Sequence, residues 1–163
     1  RLFRKADTPP AAIESYPQAL RTRCGAFVSI HNQGELRGCY GHMEEDKPLL
    51  QNVREMAQWA AARDSRFRPV TPEELNEVDI EISVLSPLRK IRNITEIEMG
   101  VHGIFIRKGM NRGVFLPQVA TETGWSKESF LGHCARDKAG IGWNGWKEAE
   151  ISVFTATIIR EKE

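Results

Sequence analysis

The sequence lacks any marked excess of charge: 23 lysines and arginines face 22 aspartates and glutamates, for a formal net charge of +1. That balance argues against a protein that holds nucleic acid by bulk charge and leaves only a local basic patch as a route to such binding. Long apolar runs are missing as well. No stretch approaches the ~20 residues that a bilayer-spanning helix needs, so the reading includes no membrane span. Cysteine is scarce: Cys24, Cys39 and Cys134 are odd in number, widely spaced and without a C-x-x-C pair. This is not the pattern of a secreted disulfide framework, and it predicts reduced thiols in a cytoplasmic protein. Neither G-x-G-x-x-G nor a P-loop occurs, so nucleotide binding through a glycine-rich loop has no support.

What is present suits one globular domain over residues 1–163, since a chain of that length with 40% hydrophobic residues can bury a real core. The chain opens on Arg1 rather than methionine, which reads as a trimmed start. Residues 1–24 carry Pro9, Pro10 and Pro17 and read as an irregular lead-in with one short helical turn. Ala26–Ile30 and Glu35–Tyr40 flank a His-Asn-Gln-Gly turn and predict a hairpin. Asp46, which suits an N-cap region, and Pro48 then open a helix, whose apolar face is Leu49, Leu50, Val53, Met56, Ala57, Ala60 and Ala61. Thr71-Pro72-Glu73-Glu74 is a capping box for a short helix. Val78, Ile80, Ile82 and Val84 alternate with polar residues and give the clearest strand. A second hairpin is expected around Gly109–Gly113. Short helices follow from Pro117 and from Ser126, and one long strand is expected over Ile151–Ile159. Hairpins with helices inserted between them predict an α+β fold with a mainly antiparallel sheet.

The residues that carry chemistry concentrate in Leu36-Arg37-Gly38-Cys39-Tyr40-Gly41. Two glycines bracket a thiol, and an arginine two positions away would share its face in a regular strand. A neighbouring cation raises the thiolate fraction, so Cys39 reads as a nucleophilic or redox thiol; the bland alternative is a small buried strand residue. Cys39-x-x-His42 and the His133-Cys134 pair could be assembled into a metal site on paper, but no spacing of a known zinc class appears, and no metal is assigned. Asp64-Ser65-Arg66-Phe67-Arg68 offers forked donors for a carboxylate or phosphate, or simply a solvated helix end. His102, just before a strand, is an acid–base candidate or a turn residue, and Lys138 a substrate-binding cation or a dipole-matched helix end. Glu81 lies opposite the apolar face of its strand, on the surface or lining a cleft. Trp125, Trp143 and Trp146 are stacking platforms or packing residues.

The order of these stretches resembles the AMMECR-type domain, the Alport-region (midface hypoplasia, elliptocytosis) protein family, whose prokaryotic members are called AmmeMemoRadiSam system protein A. The resemblance rests on Gly25-Ala26-Phe27-Val28, Gly34-Glu35-Leu36-Arg37-Gly38-Cys39-Tyr40-Gly41, Ala61–Phe67, Glu81–Pro87, His102-Gly103, Leu116–Ala120, Phe130-Leu131 and Lys138-Ala139-Gly140, in that order. The family usually has Asp-Pro-Arg-Phe where this chain has Asp64-Ser65-Arg66-Phe67, a less rigid loop that keeps its charges. The resemblance implies a sheet with helices, a smaller subdomain and a cleft between the two parts. It also implies that Arg37, Gly38, Cys39, Gly41, Asp64, Arg66, Phe67, His102 and Lys138 gather near that cleft. It names no cofactor and implies work beside a Memo-type protein and a radical S-adenosylmethionine protein. Two functions follow as expectations. One is an enzyme component with Cys39, Arg37 and His102 catalytic, and Gly38, Gly41, Asp64, Arg66, Phe67, Glu81 and Lys138 holding a small anionic substrate. The other is a non-catalytic module that recognises a protein or nucleic acid through the same residues.

Overall fold

A computed structural model describes residues 12–161; the Pro9-Pro10 part of the expected lead-in lies outside them. In chain order the elements are α1 (Gln18–Arg21), β1 (Ala26–Asn32), β2 (Glu35–His42), α2 (Leu49–Ala62), β3 (Val78–Leu85), β4 (Arg89–Lys90), β5 (Gly103–Lys108), β6 (Asn111–Phe115), α3 (Pro117–Thr123), α4 (Lys127–His133), β7 (Glu150–Phe154) and β8 (Ala156–Arg160). They build two four-stranded sheets, ordered β2-β1-β3-β8 and β4-β7-β5-β6. β1 pairs antiparallel with β2 and β3, β7 with β4 and β5, and β5 with β6. The α+β class with antiparallel sheets and flanking helices is thus the fold. The chain divides into two compact units, one running to Leu85 and resuming at Thr157, the other Ser86–Ala156. Among the described residues no helix is long and apolar enough to cross a membrane.

In the first unit, strand alternation sorts β1 into two faces. Ala26, Val28 and Ile30 are buried on one, while Phe27, Ser29 and His31 point to the other. α2 covers the apolar face with Leu49, Met56, Ala60 and Ala61, and Trp59 meets the Tyr40 ring edge-on at a centroid distance of 5.3 Å. The helix packs close because β2 has no side chain at Gly38; a Cβ there would run into the Ala60 carbonyl. The expected Asp46 cap is corrected: α2 begins at Leu49 behind Pro48. Leu49 N–H donates to the Thr22 carbonyl at 2.9 Å, so a backbone carbonyl of the preceding chain meets the first orphan N–H of the helix, while Arg23 Nη1 holds the Asp46 carbonyl. The Thr71 box holds as a 3-10 turn over Pro72–Asn76, with Thr71 N–H donating to Glu74 Oε2 at 2.8 Å.

The second unit is built on the expected hairpin. Ile104, Ile106, Phe130, Leu131, Cys134 and Ala135 form its fully buried centre. Ser126 caps α4 by accepting Ser129 N–H at 3.2 Å. The helix then widens into a π-helical turn over Cys134–Lys138, and Ala139 N–H donates back to the Cys134 carbonyl at 3.0 Å. Trp125 stacks on His133 at 3.8 Å and Trp143 meets the same ring edge-on at 4.9 Å, so these tryptophans pack here. The single long strand expected over Ile151–Ile159 is corrected. It breaks at Thr155 into β7 and β8, which belong to different sheets. Thr155 and Ser86 clasp each other at that break, Ser86 N–H donating to Thr155 O at 2.9 Å and Thr155 N–H to Ser86 Oγ at 2.8 Å. A uniform β pattern cannot reveal such a change of partner.

Gly38→Ala places a methyl group against the Ala60 carbonyl. It is expected to cost roughly 1–3 kcal/mol of unfolding free energy, read as a lowered urea midpoint.

Candidate functional site

Cys39 lies on β2, an edge strand of the first sheet. It faces Ser29 of β1 in register, and Ser29 Oγ donates to Cys39 Sγ at 3.3 Å. Its backbone N–H turns off the sheet edge and donates to Asp64 Oδ2 at 2.9 Å. Asp64 follows the C-terminus of α2, so the helix delivers this carboxylate to the strand edge. The other bonds of that carboxylate go to Arg66: Nε to Oδ1 at 2.9 Å, Nη2 to Oδ2 at 2.7 Å, and the backbone N–H to Oδ1 at 3.1 Å. This is a bidentate fork closed by a tight turn. The hydrogen bonds from the Arg66 side chain, followed by those from the Cys39 and Arg66 backbones, outweigh desolvation and hold the Asp64 carboxyl down to about 2. Arg66 is raised by the same fork first, against desolvation, and further by the charges of Asp64 and Cys39. Its side chain is 53% exposed, with its guanidinium 5.3 Å from the Phe67 ring centroid. Cys39, Asp64, Arg66 and Phe67 therefore come together.

The expectation that Arg37 shares a face with Cys39 is corrected by a β-bulge. Ile30 pairs with Gly38 and His31 with Leu36, so Arg37 is passed over. Its guanidinium turns to the 68–74 loop: Nε and Nη2 donate to Glu74 at 2.9 and 3.1 Å, Nη1 to the Arg68 carbonyl at 2.7 Å and Nη2 to the Pro69 carbonyl at 3.2 Å. The Arg37 bonds to its carboxylate, with Thr71 N–H, hold Glu74 at about 2. Glu81 does face the Cys39 side of the sheet. It sits across β1 from Cys39, opposite Ser29, and accepts from Arg160 Nε at 2.8 Å. Gly41 is on this face too, with the Phe27 ring lying over it.

His102 and Lys138 belong to the second unit. His102 Nδ1 accepts Glu98 N–H at 3.0 Å, so the neutral ring carries its proton on Nε2. Lys138 Nζ lies 6.0 Å from the Phe115 ring centroid. The three thiols differ sharply. Cys134 is fully buried, and burial pushes it up to about 12 against a small opposing pull from Lys138. Cys24 is buried and also raised, by burial and then by Glu45. Cys39 is the partly exposed one. Alternation puts Cys39 and His42 on opposite faces, so the paper C-x-x-H pair does not form a ligand pair. Among the described residues, His42, Glu44 and Asp46 are the group whose ligand atoms lie within 4.8 Å of one another. There, His42 Nε2 and Asp46 Oδ1 already share a hydrogen bond of 2.7 Å.

The model of the AMMECR1 family matches residues 2–159. The chain belongs to the AMMECR1 family. A protein of Methanothermobacter thermautotrophicus is 40% identical over 156 residues, covering 91% of this chain and 81% of its own. A protein of Methanopyrus kandleri is also 40% identical, over 93% and 79%. The crystal structure of an uncharacterized protein from Pyrococcus horikoshii superposes with a TM-score of 0.86 at 32% identity, covering 95% of this chain and 80% of that one. This AMMECR1 chain also uses residues that sequence reasoning passed over. Ser29 is a lone hydroxyl in an otherwise apolar run, which was a usable signal; Arg160 and the Arg37 partner Glu74 gave none, because long-range pairing is invisible in a pattern.

Asp64 and Glu74 both sit below the unfolded carboxylate range, so each stabilises the fold above pH ~4 and loses that contribution as pH falls toward about 2. Urea midpoints should fall across this window, and the fall should be shallower in Asp64→Asn.

Proposed function

We propose that this AMMECR1-family protein is an enzyme component whose reactive group is the Cys39 thiol and whose substrate is a small anion. The observation that carries the reading is the Asp64 carboxylate, which holds the Cys39 backbone and the Arg66 guanidinium at once. The pair is charge-compensated on the Asp64 side, while the guanidinium reaches solvent, where an anionic substrate can meet it. Ser29 donates a hydrogen bond to the sulfur, an arrangement that favours the thiolate. Arg37 supports the site by bracing the loop that follows Arg66. In this reading the protein works beside a Memo-type protein and a radical S-adenosylmethionine protein, as the resemblance of its motifs implies, and copurification with each is the check on that part.

The test is alkylation of the folded protein by iodoacetate, located by mass spectrometry. Only Cys39 is expected to react near neutral pH, because Cys24 and Cys134 are buried and raised. Asp64→Asn leaves the Arg66 charge uncompensated and should speed the reaction. Arg66→Ala leaves the Asp64 charge bare and should slow it roughly tenfold. Rates unmoved by either substitution, or a Cys39 no faster than a free thiol, sink the proposal.

A further inference from the structure

The two glycines of the Gly38-Cys39-Tyr40-Gly41 stretch do different jobs on opposite faces. Gly38 faces α2, as described. Gly41 faces the other way, in register with Phe27 of β1. A Cβ at Gly41 would fall on the Cγ, Cδ1 and Cε1 atoms of the Phe27 ring, so the ring lies across β2 in the space a side chain would take. Residues 39 and 41 share a face, so the ring lies on the face that carries the thiol, two residues along β2, with Ser29 next along β1. Phe27 is only partly buried, unlike Ala26 and Val28 on either side of it, so the residue keeps some accessible surface. The thiol thus has a cation on its edge-strand side and a flat apolar surface along its strand.

We infer that Phe27 is a specificity-determining residue of the Cys39 site, and that the substrate carries a planar apolar group beside the carbon that the sulfur attacks. The inference rests on the proposed role of Cys39 and adds to it the shape of the substrate body: an anion for Arg66 and a flat ring or conjugated group for Phe27. Rings stack offset or edge-on at little conformational cost, and the missing Gly41 side chain lets the Phe27 ring lie flat against β2.

The experiment compares iodoacetamide with iodoacetanilide, its N-phenyl relative, each rate divided by that for glutathione so that intrinsic reactivity cancels. In both reactions the Cys39 thiolate forms an S–C bond, the C–I bond breaks, iodide leaves and the thiol proton goes to buffer. Cys39 should favour the phenyl reagent by about fivefold. Phe27→Ala should bring the ratio close to one. Gly41→Ala, which displaces the ring while keeping it in the chain, should do the same, and Phe27→Leu should fall between. A preference that is absent, or that survives Phe27→Ala in a variant with a normal melting transition, overturns the inference while leaving the thiol proposal standing. A Cys39 inert to both reagents overturns the thiol proposal instead. The shelf is then judged on the native protein by titrating unreactive acetanilide. Saturable shifts of the Cys39 and Gly41 amide resonances support it; unmoved resonances overturn it.

Discussion

The Asp64 carboxylate ties the end of α2, the edge of the first sheet and its own turn together through four hydrogen bonds, from Cys39 N–H and from three N–H groups of Arg66. An outward-facing edge N–H must find an acceptor or meet water, and an edge left open invites another strand. Here a charged acceptor closes it. Asp64 is 8% exposed, a position that a bare charge could not hold, and the Arg66 fork is what makes it tolerable. The position of Cys39 relative to a cation is therefore a by-product of closing a sheet edge. That is why the thiol, the carboxylate and the guanidinium cannot be moved independently.

Two absences of side chain flank this arrangement. At Gly38 the missing Cβ lets the helix backbone approach, and at Gly41 it lets an aromatic ring lie down. With period-two alternation, the pair could not serve one face alone, since an odd separation sends them to opposite sides. The motif therefore fastens the strand from below while clearing the surface above. A substitution at either glycine disturbs the same cysteine from opposite directions.

Much of the fold was legible because it is local. Alternation at Val78–Leu85, the apolar stripe of α2, the Thr71 box and the Ser126 cap are all set by neighbours a few residues away. What the pattern could not carry was partnership at a distance. The Ile151–Ile159 run alternates evenly through Thr155, so nothing in it marks a change of sheet. The bulge at Arg37 follows from how β2 meets β1, and a single strand read alone predicts the regular register instead. Within the candidate site, Cys39 and Arg66 stood out as unusual residue types in unusual company. Glu74 did not, because a glutamate in a capping box has a sufficient local explanation.

β7 lies between β4 and β5 in its sheet although it follows both by more than forty residues in the chain. Until Glu150–Phe154 has been synthesised, β4 and β5 have no shared neighbour, and the backbone groups that each turns toward β7 stay open to water. A ribosome extending the chain from β4 onward would therefore hold a hairpin and two short helices over a half-built sheet, with a core cluster that still lacks Ile151 and Val153. Loop closure across that span sets the pace, so the second unit should assemble late and all at once rather than strand by strand.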